Sequence, residues 1–424
     1  MSVLKLGNYD SGKKPADLAT FFKPYHVDGI LASTTKFRSD DNNRFEDWEQ
    51  AKENEVQKLQ EFLHTAGFMT KKYNEGVYDY VTEAAVRLFQ EYIATIEHKS
   101  CSRDGKVGPN TWKFINAWPE GKKCNWHSSM TANNASHKEY TAWMNLLDEA
   151  KAYYSDTNHQ GPIMRAVNQA SDTGATIKTQ NWKFERDKIH LVGIRRNESK
   201  TTSIRKNDDL FVLLINGMVF KFWGSTDPKV KKGSTREPFL VEGQHLYRFG
   251  WHNLGAVDVA KKHRRGDYVT YRALRPANAK QSVLVVRDKD DDNTLSIGDL
   301  GATGLGLSLA NYINVHWTGT SRSQTTWSAG CQVIKGQSYI NDQGKVIDYS
   351  KFTAATYEDL FNDTKKHKGA YRFLTDLVVC YSKKGVNTMY YTLGNENEEL
   401  AKLGNVFGET YVKDALKAMK ADES

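Results

Sequence analysis

Little proline, few cysteines and no long apolar run mark this sequence, and each shortage removes a class of protein. Only 8 of the 424 residues are proline, while 26% are charged and 12% aromatic. That composition belongs to a soluble globular chain and not to a disordered or collagen-like one. The four cysteines, Cys101, Cys124, Cys331 and Cys380, are irregularly spaced. They form neither a disulfide framework nor a Cys-x-x-Cys zinc pair, and they suit a reducing compartment. The longest apolar stretch, around residues 211–215, is far too short to span a bilayer. The opening MSVLKLGNYDSGKKPAD has no apolar core of a Sec signal peptide. His245 and His252 are seven apart with no His-x-His beside them, which leaves no zinc-peptidase ligand set. No metal and no cofactor are therefore expected.

The length calls for two or three domains. The formal charge of +8, from 59 basic and 51 acidic residues, suits an anionic partner such as cell wall, nucleic acid or a membrane surface, and selects none of them. No nucleic-acid fold signature accompanies it, so no nucleic-acid partner is expected. The fold class reads as α+β: a small three-helix N-terminal domain, then a mostly-β domain with flanking helices.

Residues 1–48 are polar and weakly periodic, an N-terminal extension. Residues 49–118 carry the helical pattern. Val56, Leu59 and Leu63 share a face that Gly67 ends, and Thr82 is placed to cap a second helix with Ala85, Leu88, Phe89 and Tyr92 inward. Asp104-Gly105 turns the chain into a third helix. Residues 119–136 read as a Gly/Asn/Ser-rich linker, and 137–180 as connecting helices with a packing stripe of Tyr140, Trp143, Met144, Leu147 and Tyr154.

From 181 to 395 the period becomes that of strands. Residues 211–215 and 218–222 flank Asn216-Gly217, a pair that supplies the positive φ angles of a type I′ hairpin. Further strands are expected at 189–194, 239–241, 246–249, 269–272, 282–287, 313–316, 331–334, 377–381 and 389–392. Residues 396–424 read as a charged amphipathic C-terminal helix.

Chemistry concentrates in residues 313–334, INVHWTGTSRSQTTWSAGCQVI. A cysteine nucleophile needs a base, a turn that exposes its sulfur, and N–H groups for an oxyanion. Cys331 supplies the nucleophile and His316 the base, while Gly330 lets the backbone approach a substrate. A protonated His316 beside the sulfur would favour the thiolate. The oxyanion donors would be the N–H groups of Cys331 and a neighbour such as Gly330. Asp208, Asp209 or a backbone carbonyl could orient the imidazole. Ser328 either holds the turn or bonds substrate.

Elsewhere, Asp288, Asp290, Asp292 and Asp299 fall at places 1, 3, 5 and 12 of a calcium-loop pattern, with Asn293 at place 6 where an EF-hand has glycine. A solvated acidic loop is the expected reading. Lys261 to Arg265 form a basic run, expected to be an exposed loop.

Two resemblances follow. Leu59-Gln60, Gly76, Tyr78, Thr82, Ala85-Val86, Phe89-Gln90, Asp104-Gly105, Val107-Gly108 and Thr111 resemble the three-helix peptidoglycan-binding domain over about residues 50–118. His316, Ser328, Gly330 and Cys331 resemble the L,D-transpeptidase motif. Asn314 and Gln332 extend it to a branch of prophage and secretion-associated wall proteins, with similarity across about 185–355. Ala329 stands where typical members have a second histidine, and Thr318-Gly319 where the branch has two glycines.

The resemblance implies a cysteine enzyme that acts on peptidoglycan stem peptides through a thioester, by hydrolysis or transpeptidation. Asn314, Gln332, Arg272 and Arg275 would then serve substrate binding, and Arg272, Arg275 and Arg287 could clamp a stem-peptide carboxylate. A surface or structural role is the alternative for those arginines. The expected site of action is the wall or periplasm, reached from the cytoplasm through a secretion or injection apparatus, a phage particle or lysis. The alternative is a non-catalytic wall-binding component of a phage or injection apparatus.

Overall fold

The computed structural model describes residues 2–16, 37–38, 44–45, 48–70, 73–127, 135–196, 206–229, 237–253, 270–290, 292–301, 306–319, 326, 328–356, 359–360, 365–382, 388–395 and 417. The expected C-terminal helix (bar residue 417) and the Lys261–Arg265 run lie outside them.

The N-terminal unit is built on α1 (Glu55–Thr65), α2 (Tyr80–Thr95) and α3 (Pro109–Asn116). Val56, Leu59 and Leu63 are fully buried, and Gly67 takes φ 83° past the end of α1. The cap of α2 is Asp79, whose carboxylate accepts the Thr82 N–H at 2.8 Å. Thr82, expected in that role, lies inside the first turn and donates its hydroxyl to the same carboxylate.

The opening residues belong to this unit. Leu4 exchanges two backbone hydrogen bonds with Val107, Leu4 and Leu6 are buried, and Asp10 accepts the Val56 and Gln57 N–H groups at the head of α1. Polar composition hid this because few apolar side chains among the described residues, Leu4 and Leu6 with Trp48, do the anchoring.

The described part of the expected linker, residues 119–127, is not a free tether either. Cys124 N–H bonds the Ala66 carbonyl, and fully buried Trp126 lies edge-on to Tyr92, Phe220 and Phe373. One indole thereby joins the helical unit to the β-rich unit.

The β-rich unit contains β1 (His190–Arg195), β2 (Asp209–Ile215), β3 (Met218–Ser225), β4 (Pro238–Leu240), β5 (Gly243–Asn253), β6 (Thr270–Pro276), β7 (Ser282–Arg287), β8 (Leu307–Asn311), β9 (Val315–Trp317), β10 (Gln332–Ile340) and β11 (Thr388–Asn395). Eight of them close into a barrel in the order β6-β9-β10-β3-β2-β1-β11-β5, with β5 pairing back onto β6. Two neighbouring pairs are parallel, β9–β10 and β1–β11; the others are antiparallel. A separate three-stranded sheet runs β8-β7-β4.

The β2–β3 hairpin turns at Asn216 (φ 51°) and Gly217 (φ 78°), as the Asn-Gly pair dictates. Alternation along β2 sends Phe211, Leu213 and Ile215 into one core and Leu210, Val212 and Leu214 into another. The second core receives Tyr140, Trp143, Met144, Leu147 and Tyr154 of α4 (Ala135–Ser155), so the aromatic stripe is a packing face. α5 (Pro162–Gln169) follows it.

Residues 377–381, expected as a strand, belong to α6 (Ala370–Tyr381). Every residue of α6 is buried, and it packs against α2 and β10. A helix covered on all sides loses its polar face, and its short apolar runs then read like a strand. β8 was not foreseen.

Candidate functional site

Strands β9 and β10 lie side by side and parallel, with Val315 opposite Gln332 and His316 opposite Val333. Cys331 immediately precedes β10 and is two residues from Val333. Strand alternation therefore puts its side chain on the face that carries His316, one pleat away. The ladder extends past both strand ends, from Gln332 N–H to Asn314 carbonyl and from Thr318 N–H to Ile334 carbonyl. Gly330 takes φ 141°, and a Cβ there would come within 2.6 Å of Pro238 Cγ. Only glycine fits this turn.

The sulfur of partly exposed Cys331 is held closely. Its thiol donates to the Tyr312 carbonyl at 3.3 Å, and Asn314 N–H points at Sγ from 3.3 Å. Burial pushes the thiol pKa up, against smaller opposing effects of Asn314 N–H, the Ser328 side chain and the Arg275 charge. Ser328 Oγ also accepts Gly330 N–H at 3.3 Å, so it does hold the turn, and that N–H is already engaged.

His316 Nδ1 lies 2.8 Å from the Trp317 carbonyl. A carbonyl can only accept, so Nδ1 carries the proton and Nε2 presents a lone pair, as a general base requires. Burial lowers the imidazole pKa to about 4, the Trp317 bond opposing and the Lys368 charge assisting. Both shifts favour a neutral thiol and a neutral imidazole at pH 7. Burial works against the expected thiolate–imidazolium pairing.

The other expected site residues divide. Arg275 joins the cysteine: its charge reaches the sulfur, and its guanidinium lies 5.4 Å from the ring centroid of Tyr312. Asn314 contributes through its backbone. Gln332 is fully buried, donating to the Thr226 carbonyl at 3.1 Å and accepting from Tyr391 OH at 3.0 Å. Arg272 is fully buried as well, bonded to Asp376 and Thr375 of α6, with its guanidinium over the Tyr80 ring. Burial and these partners commit Gln332 and Arg272 to the fold, away from a substrate carboxylate. Tyr312, Trp317 and Lys368 were not foreseen; the left-handed φ of 63° at Tyr312 leaves no mark on the sequence.

Below Gln332 lies a buried ionic layer. Arg195 pairs with Asp227 and Glu242, both at 2.9 Å, and bonds the Thr226 and Leu240 carbonyls. Asp209 accepts the N–H groups of Arg196 and Thr226. Burial, then the charges of Asp227 and Asp208, push its carboxyl up to about 7. Residues scattered from 195 to 242 thus converge beneath the strand that carries the cysteine, and they hold Thr226 where Gln332 needs it.

The helical unit shows a repeated clamp. Buried Gln60 donates to the Asn74 and Val77 carbonyls and to Thr82 Oγ, and accepts Gly76 N–H. Buried Gln90 donates to Asp104, to the Lys106 carbonyl and to Thr111 Oγ, and accepts Gly105 N–H. Each glutamine fixes one turn against one helix.

Residues 52–115 match the family model described as a putative peptidoglycan binding domain. The stretch takes in all three helices and both clamps, so the chain carries a peptidoglycan-binding domain near its N-terminus, and peptidoglycan is the partner to which it points. No curated protein and no solved structure matches the chain. No helix among the described residues is long and apolar enough to cross a membrane. The peptidoglycan-binding domain is fused to the barrel through α2: Arg87 donates two bonds of 2.8 Å to Asp376, and Glu91 accepts from Tyr339 and Tyr349.

Proposed function

We propose that the barrel is an L,D-transpeptidase-like cysteine enzyme that the peptidoglycan-binding domain carries to the wall. The observation that supports it best is the placement of Cys331 and His316 on one face of two adjacent parallel strands, with the His316 Nδ1 proton committed to the Trp317 carbonyl. In this reading His316 removes the Cys331 proton as the sulfur attacks a stem-peptide amide carbonyl. The carbon–nitrogen bond breaks, the departing amine leaves with that proton, and a thioester remains. Water resolves the thioester in hydrolysis; another amine resolves it in transpeptidation. Arg275 and Tyr312, beside the sulfur, would meet the substrate, while Gln332, Ser328 and Gly330 position the nucleophile.

A second reading has the barrel as a non-catalytic scaffold for wall binding. It is favoured by the raised thiol pKa and by the engagement of Gly330 N–H with Ser328, which leaves one expected oxyanion donor occupied. Conversion of defined muropeptides by the native protein, absent in Cys331→Ala, separates the two.

A further inference from the structure

The acidic loop that follows β7 is organised around a carboxylate with one oxygen that has no hydrogen-bond donor. Asp288 is only 3% exposed, and its Oδ1 is buried with no hydrogen-bond partner. Its other oxygen accepts Asn293 N–H at 2.8 Å. One carboxylate oxygen each from Asp288, Asp290 and Asp292 lies within 4.8 Å of the other two. Three like charges so close repel unless protons or a cation intervene.

We propose that Asp288, Asp290 and Asp292 form a calcium-binding site. The ligands are oxygen only and carry formal charge, which selects a hard divalent cation. Asp288 and Asp292 sit on a preformed frame: Thr294 N–H bonds Asp292 at 2.6 Å, and Asp299 closes the loop by accepting the N–H groups of Lys289 (2.7 Å) and Ser296 (2.8 Å). Asp290 and Asp292 reach in from the solvent side, so water can complete a shell of six to eight oxygens, as calcium tolerates and magnesium, which demands near-octahedral order, does not favour.

Two features of the sequence spoke against an EF-hand: strands in place of helices beside the loop, which the structure retains in β7, and Asn293 at the place of the usual glycine. Asn293 takes φ 62°, the left-handed conformation that glycine provides there, so the second objection falls. The loop also borders the cysteine turn: Asp288 N–H bonds the Glu237 carbonyl at 3.4 Å, and the next residue, Pro238, is the one that packs against Gly330.

The test is calorimetric titration of the chelator-treated full chain with calcium chloride, beside thermal unfolding in the same buffers. The double variant Asp290→Asn/Asp292→Asn is the control; both side chains are exposed, and circular dichroism verifies its fold. The expected result is saturable one-site binding with Kd about 10⁻⁴–10⁻³ M, the range of extracellular calcium modules. It comes with a calcium-dependent rise in Tm and an affinity lower by about tenfold or more in the variant. Absence of saturable heat and of any Tm rise up to about 10 mM calcium would overturn the proposal. So would equal affinity in the variant, or magnesium binding as tightly as calcium.

Discussion

Removing Asp376 tests how firmly the peptidoglycan-binding domain is tied to the barrel. Asp376, on α6, receives two hydrogen bonds from Arg87 on α2 and one of 2.5 Å from Arg272 on β6. All three side chains are at most 2% exposed. Asp376→Ala removes from a dry interface the carboxylate that two guanidinium groups share, while Glu83 stays 3.0 Å from Arg87. Deleting one partner of a buried ion pair costs about 3–5 kcal/mol, a large part of a stability of about 5–15 kcal/mol. The assay is urea unfolding followed by tryptophan fluorescence, with Glu49→Ala as the surface control. Glu49 pairs with Lys5 at 3.5 Å, both well exposed, and its loss is expected to cost about 0–1 kcal/mol. If Asp376→Ala costs no more than that control at an unchanged m-value, the idea of a desolvated charge lock between the units is refuted.

Two further outcomes follow from the cysteine turn. Gly330→Ala forces a side chain to φ 141° and drives its Cβ against Pro238, at an expected cost of about 1–3 kcal/mol; unaltered thermal stability would show that the turn is not constrained as described. The rate of Cys331 alkylation is expected to climb steadily with pH to above 9 without a neutral plateau. Burial raises the thiol from its usual 9.0 and lowers His316 to about 4, which leaves a thiolate fraction below about 1% at pH 7. A plateau beginning below pH 7 would mean an ion pair and contradict the neutral resting state.

What could be read from the sequence was local. Asn216-Gly217 sets its own φ angles, and the Val56-Leu59-Leu63 spacing sets a helical face, so the hairpin and α1 were legible. Barrel closure was not, because it depends on residues 390–395 pairing in parallel with 190–195, a contact between segments about two hundred positions apart. Helix α6 was missed since burial on all sides erased its amphipathic period. At the site, the order His316 then Ser328-x-Gly330-Cys331 carried the pair. The burial of Arg272 under α6, the inward turn of Gln332 and the Trp317 carbonyl on His316 come from packing, which residue identity does not encode. The calcium-loop spacing was visible, but the lone oxygen of Asp288 appears only in three dimensions.

The central claim is that Cys331 is a nucleophile toward stem peptides. The most direct measurement incubates the purified full chain, and Cys331→Ala beside it, with defined muropeptides and reads the products by mass spectrometry. The account predicts loss of terminal residues, a split cross-link or an added amine acceptor with the native protein, and no conversion with Cys331→Ala. No conversion by either protein, with binding to intact sacculi retained by both, would contradict it and leave a wall-binding scaffold.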